Sequence, residues 1–178
     1  TAVFNISGNG GFVAQDSGWD NGIDFKAWQI DISTIDLYNI KVSSKQSSTN
    51  AGPKNFKLQY RISTGGMWTD VPTASITVAT NYTTGVLANL SLPEICDNKP
   101  SVFLRWIMTN NTSVGNGTVI SSGTSAIDDI LITGNAITLL TANLDVGNVT
   151  SRVVTGLTNN TNYFYRLTPV GTTNLFND

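Results

Sequence analysis

Between Asn55 and Ser63 every second residue is apolar: Phe56, Leu58, Tyr60 and Ile62 alternate with Lys57, Gln59, Arg61 and Ser63. A period of two places one set on each face of a pleated strand. It does not build an amphipathic helix, whose apolar stripe needs spacings of three and four. The Thr64-Gly65-Gly66 segment that follows contains residues free to take positive φ, so the chain is expected to turn back through Met67, Trp68 and Thr69 as a hairpin.

The same alternation recurs. Trp28, Ile30 and Ile32 oppose Gln29, Asp31 and Ser33, and Ile40 and Val42 oppose Lys41 and Ser43. "VLANLSLP" reads as a further strand ending at Pro93. "SVFLRWIM" is apolar on both faces apart from Arg105, as expected of a strand flanked on both sides. "AIDDILITG" closes the series, and no stretch holds a 3.6-residue period. Seven or more short strands in this spacing predict an all-β fold, a jelly-roll-type β-sandwich over residues 1–134, with Trp28 and Trp106 in core positions. The polar connection from Thr109 to Ser125 is long and is expected to be either a functional surface or a solvated loop.

Composition narrows the chemistry. Of the 178 residues 40% are hydrophobic, enough for a core, while only 12% are charged and the net charge is −2. That balance excludes a phosphate-gripping nucleic-acid binder, which needs clustered Lys and Arg. Eleven Asp stand against one Glu, Glu94, a bias toward turns and strand ends. With no histidine, Ser-His and Cys-His nucleophile arrangements are ruled out and the commonest general base is missing, so no enzymatic activity is expected. The single Cys96 has no intramolecular disulfide partner and is expected to be a buried free thiol. No run of 18 apolar residues occurs, so direct membrane insertion is not expected.

Two adjacent acids, Asp128 and Asp129, interrupt the last predicted strand. Strand neighbours point to opposite faces, so the pair is not expected to act as a glycosidase dyad, whose carboxyls face each other about 5–9 Å apart. At least one is expected near the core, where it needs either a salt bridge from Arg105 or a hard cation such as Ca²⁺. For ligand contact, Trp19 lies in a Gly- and Asp-rich loop outside any apolar alternation, and it is the leading candidate for stacking on a sugar, with Tyr38 and Tyr82 beside it. Lys45 and Gln46 in the polar "SSKQSS" segment, expected to be a loop, are candidates to line such a site, against a plain solvated turn. Trp68, after the Gly-Gly turn, is read as structural.

After Gly134-Asn135 the pattern changes. Gly156-Leu157, a turn, Thr161 and Tyr163-x-Tyr165-Arg166 resemble the second half of a fibronectin type III module. That resemblance implies a buried Leu157 and a Tyr163 corner whose hydroxyl bonds back to the turn. Less than half of the about 100 residues of such a module follows Gly134, so residues 135–178 are expected to be a partial fibronectin-like segment.

From Trp28 to Gly134, the segments "AWQIDIST", "NFKLQY", "WTDVP", "LSLPEICDN", "VFLRWIMTNNTS" and "SAIDDILITG" resemble a β-sandwich accessory module of large secreted and cell-surface proteins of Bacteroidetes-type bacteria. The resemblance implies a non-catalytic, carbohydrate-binding-like module beside neighbouring domains of a longer chain, in proteins often exported by type IX secretion. It also implies a structural Ca²⁺ held by Asp128 or Asp129 together with an N-terminal loop, here through Asp16, Asp20 or Asp24. The expected function is recognition of a glycan or surface protein, or adhesion. A spacer or filament module without a small ligand, and an accessory domain of a secreted hydrolase, are the alternatives.

Overall fold

The computed structural model describes residues 2–6, 13–137, 145–159, 163 and 165, with side chains from residue 13 onward. Among the described residues nine strands and one turn of 3-10 helix follow in order: β1 (Ala2–Ile6), β2 (Ala14–Asp16), β3 (Ala27–Ile32), β4 (Leu37–Ser48), β5 (Asn55–Arg61), β6 (Thr69–Thr77), β7 (Gly85–Ser91), the 3-10 turn (Glu94–Cys96), β8 (Val102–Met108) and β9 (Ser125–Ala136). All pairings are antiparallel.

One sheet runs β1-β9-β4-β7, with β2 also paired to β9, and the other runs β3-β8-β5-β6. The chain therefore changes sheet at every connection except β1 to β2 and the β5–β6 hairpin. This order is that of a jelly roll, two four-stranded antiparallel sheets wound as Greek keys. The expected Gly-Gly hairpin is the β5–β6 turn, and "VFLRWIM" is β8, flanked by β3 and β5.

Alternation fills the space between the sheets. Ile40 and Val42 of β4 and Ile127, Ile130 and Ile132 of β9 meet Phe56 and Leu58 of β5 and Leu104, Trp106 and Met108 of β8. Two indole N–H groups of the second sheet find hydroxyls on the first. Trp106 Nε1 donates to Ser44 Oγ at 3.0 Å, and Trp28 Nε1 to Ser125 Oγ at 3.2 Å. Buried serines on otherwise inward positions thus satisfy buried donors, as burial requires. Cys96 is a buried free thiol, its pKa pushed up to about 12 mainly by burial.

The "SSKQSS" segment is strand, not loop. It is the second half of β4, and Ser44, Gln46 and Ser48 are buried on its inner face. Hydropathy hid the alternation because the inward residues there are polar.

The chain divides into two units, Thr1–Ala136 and Ile137–Asp178. β9 runs through the boundary expected at Gly134-Asn135 and ends at Ala136. In the second unit the Tyr163 hydroxyl accepts the Thr158 backbone N–H at 2.7 Å, the bond a tyrosine corner makes. Leu157, expected to be buried, is 45% exposed. In a whole module the facing sheet covers this leucine, and no described residue of this unit does so here. Apart from Tyr163 and Tyr165, the expected Tyr-x-Tyr-Arg strand lies outside the described residues.

Candidate functional site

A depression of about 590 Å³ opens where the end of β4 meets β2, the start of β9 and two loops. Ser47 and Asn50 lie along one side, Thr80 and Tyr82 on another, and Ser122 and Thr124 on a third. The volume is in the range of small-molecule sites, about 300–1,000 Å³. Among the described residues its polar lining is hydroxyl and amide, and Tyr82 is the one ionisable side chain.

Two local devices build it. The 49–52 turn and the 120–124 segment are in backbone contact: Ile120 N–H reaches Ala51 O, and Thr49 N–H reaches Thr124 O at 3.1 Å. This approach is open only to glycine. A Cβ on Gly123 would stand 2.1 Å from Ala51 O, and one on Gly52 the same distance from Thr124 O. On the opposite side Asn81 Oδ1 accepts the backbone N–H groups of Thr83 and Thr84, both at 3.0 Å, and both threonine hydroxyls. This Asx turn fixes the loop that presents Tyr82. Burial first, and the charge of Asp128 second, raise the Tyr82 pKa, so its hydroxyl stays a proton donor at neutral pH.

Of the five residues expected to contact ligand or line its site, only Tyr82 lines this groove. Trp19 is 4% exposed and packs in the core, 5.4 Å from the Trp28 ring and edge-on to Phe56 at 5.6 Å. Its N–H goes to Asp16 O, so the indole closes the sandwich instead of facing solvent. Tyr38 is half-buried at the opposite end of β4, roughly 30 Å away at about 3.3 Å per residue. Gln46 is fully buried on the inner face of β4, with neither amide atom hydrogen-bonded among the described residues.

The two carboxylates behave differently from expectation. β9 carries one extra residue against β4 between Asp128 and Leu131, and Asp129 takes φ +47°. This β-bulge resets the alternation, so Ile127 and Ile130 both point inward while Asp128 and Asp129 are both half-exposed on the outer face. Asp129 Oδ2 meets Lys45 Nζ at 2.7 Å, and Asp128 Oδ1 accepts the Asp129 backbone N–H at 2.7 Å. Hydrogen bonding to Asp129, followed by its charge, raises the Lys45 pKa. A second depression of about 360 Å³, flanked by Lys45, Val86 and Asp129, continues along the same face.

Arg105 is not their partner. It lies on the outer face of the other sheet, where its Nε donates to Gln59 Oε1 at 2.8 Å and its guanidinium lies 4.3 Å from the Trp68 ring centre. Trp68 also meets Arg61 at 4.5 Å, and Arg61 stacks on Phe103 at 4.6 Å. Trp68, read from the sequence as structural, is thus part of a guanidinium and aromatic stack.

The acids expected to hold Ca²⁺ do not converge. Among the described residues no three of His, Cys, Asp and Glu come together as a metal site. Asp16 is on β2, the Asp24 charge acts on Arg105 from beyond salt-bridge distance, and Asp20 pairs with Lys26 at 3.6 Å. The Lys26 ammonium also takes the backbone carbonyls of Gly18 and Asp20. Carbonyl and carboxylate oxygens that would suit a hard cation in this loop therefore surround a side-chain cation already present. The chain matches no protein-family model, no curated protein and no solved structure.

Proposed function

We propose that this protein is a non-catalytic extracellular module of a secreted or surface-anchored bacterial protein, and that it recognises glycan through the groove beside Tyr82. One observation carries the reading: the groove is of ligand size and its polar lining is neutral, with hydroxyls and amides converging around one half-buried tyrosine. Sugars present C–H faces that pack on an aromatic ring and hydroxyls that pair with such groups. Among the described residues no carboxylate lines the groove, and the one whose charge reaches Tyr82 is Asp128, so no facing pair of acids of the kind glycoside cleavage uses is among them. The jelly-roll scaffold supports the same reading, since loops at the end of a rigid sandwich hold a site without moving.

Glycan-array screening of the whole chain tests this. Neutral oligosaccharides are expected to bind, and Tyr82→Ala is expected to weaken the best of them at least tenfold while the thermal midpoint stays within a few degrees. Absence of any glycan signal, or binding indifferent to Tyr82→Ala, contradicts the reading.

A further inference from the structure

The outer face of the β3-β8-β5-β6 sheet gathers two guanidiniums that no salt bridge among the described residues engages. Register places Gln29, Arg105, Gln59 and Asp70 in one row across the four strands, and Asp31, Phe103 and Arg61 in the next. Arg61 and Arg105 both stack on Trp68, so two like charges share one aromatic platform. Such proximity is unfavourable unless anions offset it, and the charges of Asp24 and Asp70 do so for Arg105 only from beyond salt-bridge distance. Yet among the described residues neither guanidinium makes an ion pair, for the three salt bridges all use lysine. Arg61 Nε is buried without a hydrogen-bond partner. A guanidinium carries five donors in a rigid fork suited to a carboxylate, and stacking on aromatic rings fixes the plane of that fork in advance.

We propose that this face is an anion-binding site that takes the carboxylates of an acidic polysaccharide through Arg61 and Arg105. The same rows select the polymer. Asp31 and Asp70 flank the guanidiniums, and Asp70 is held ionised by the Gln59 amide and by Lys57. They accept hydrogen bonds from hydroxyl groups and repel a ligand made of carboxylates alone, such as an acidic peptide. A uronate chain offers both partners on every sugar, carboxylate for the arginines and hydroxyls for the aspartates. The face lies on the sheet opposite the Tyr82 groove, so the two sites stand or fall separately.

The test is calorimetric titration of the whole chain with oligogalacturonate, with a neutral oligomer of equal length and with oligoglutamate. Oligogalacturonate is expected to bind, to weaken as salt rises from about 50 to 200 mM, and to lose at least tenfold affinity in Arg61→Gln and in Arg105→Gln. Lys54→Gln, a surface charge on another part of the molecule, is expected to change it less than twofold. Arg105→Lys keeps the charge but not the fork, and it is expected to lose affinity even if Arg61→Gln fails to fold. The proposal is overturned if the wild-type chain does not bind oligogalacturonate, if oligoglutamate binds as well, or if Arg105→Gln and Arg105→Lys bind normally.

Discussion

Gln46 is the residue whose environment and chemistry disagree most. It is fully buried, and neither end of its amide has a partner among the described residues. An unsatisfied buried polar group costs about 1–3 kcal/mol, whereas an apolar group of the same shape escapes that cost. Gln46→Met should therefore leave stability unchanged or raise it by about 1 kcal/mol in chemical denaturation; a loss of about 2 kcal/mol or more would show that the amide is satisfied. Trp19 makes the converse point. Its Gly- and Asp-rich surroundings in sequence resemble a loop, but Gly18 N–H bonds to Ser121 O and draws the indole against Trp28 and Phe56. Local composition reports the backbone near a residue and says nothing of long-range partners such as Ser121. Cys96 was legible because burial is the common state of an unpaired thiol.

At the scale of elements, what could be read from sequence was what is local. The β5–β6 hairpin and the flanked strand β8 follow from period two and from Gly-Gly, with no knowledge of the rest of the chain. The register shifts were not legible, although each leaves a trace. Asn39, Thr73, Asn89 and Asp129 all sit at positive φ beside a shift in pairing, and three of the four are Asn or Asp, the side chains that best tolerate that conformation. The surplus of Asp over Glu has part of its origin here, and the outward placement of both Asp128 and Asp129 follows from the last of these bulges. The long connection before β9 is likewise fixed by contacts with the 49–52 turn. Gly123→Ala would drive a Cβ to 2.1 Å from Ala51 O, an overlap expected to cost about 1–3 kcal/mol. It should lower the thermal midpoint by several degrees and abolish groove binding together. A variant as stable as the wild type would show that the two segments do not meet this closely.

For the whole molecule, two sheets of alternating strands leave two outer faces, and the jelly roll holds both without a disulfide among its described residues. The fold class was legible because alternation, turns and the lack of helical period agree. The winding of the Greek keys depends on pairings between distant strands, which no local pattern encodes. With no histidine, the resolved pKa shifts lie away from neutrality. Gln59 and Lys57 lower Asp70, so its contribution is present at neutral pH and lost as pH falls through the depressed value. Asp129 raises Lys45, so its contribution is present below the unfolded value and lost as pH climbs through the raised one. Thermal midpoints are therefore expected to be flat from about pH 5 to 9 and to fall on either side; a step between pH 6 and 7 would contradict this. The central claim, that neutral glycan binds beside Tyr82, is tested most directly by amide chemical-shift mapping during titration with the best array ligand. The account predicts shifts concentrated at residues 47–51, 80–84 and 122–126. Shifts confined elsewhere on the sandwich, or none at saturating ligand, would contradict it.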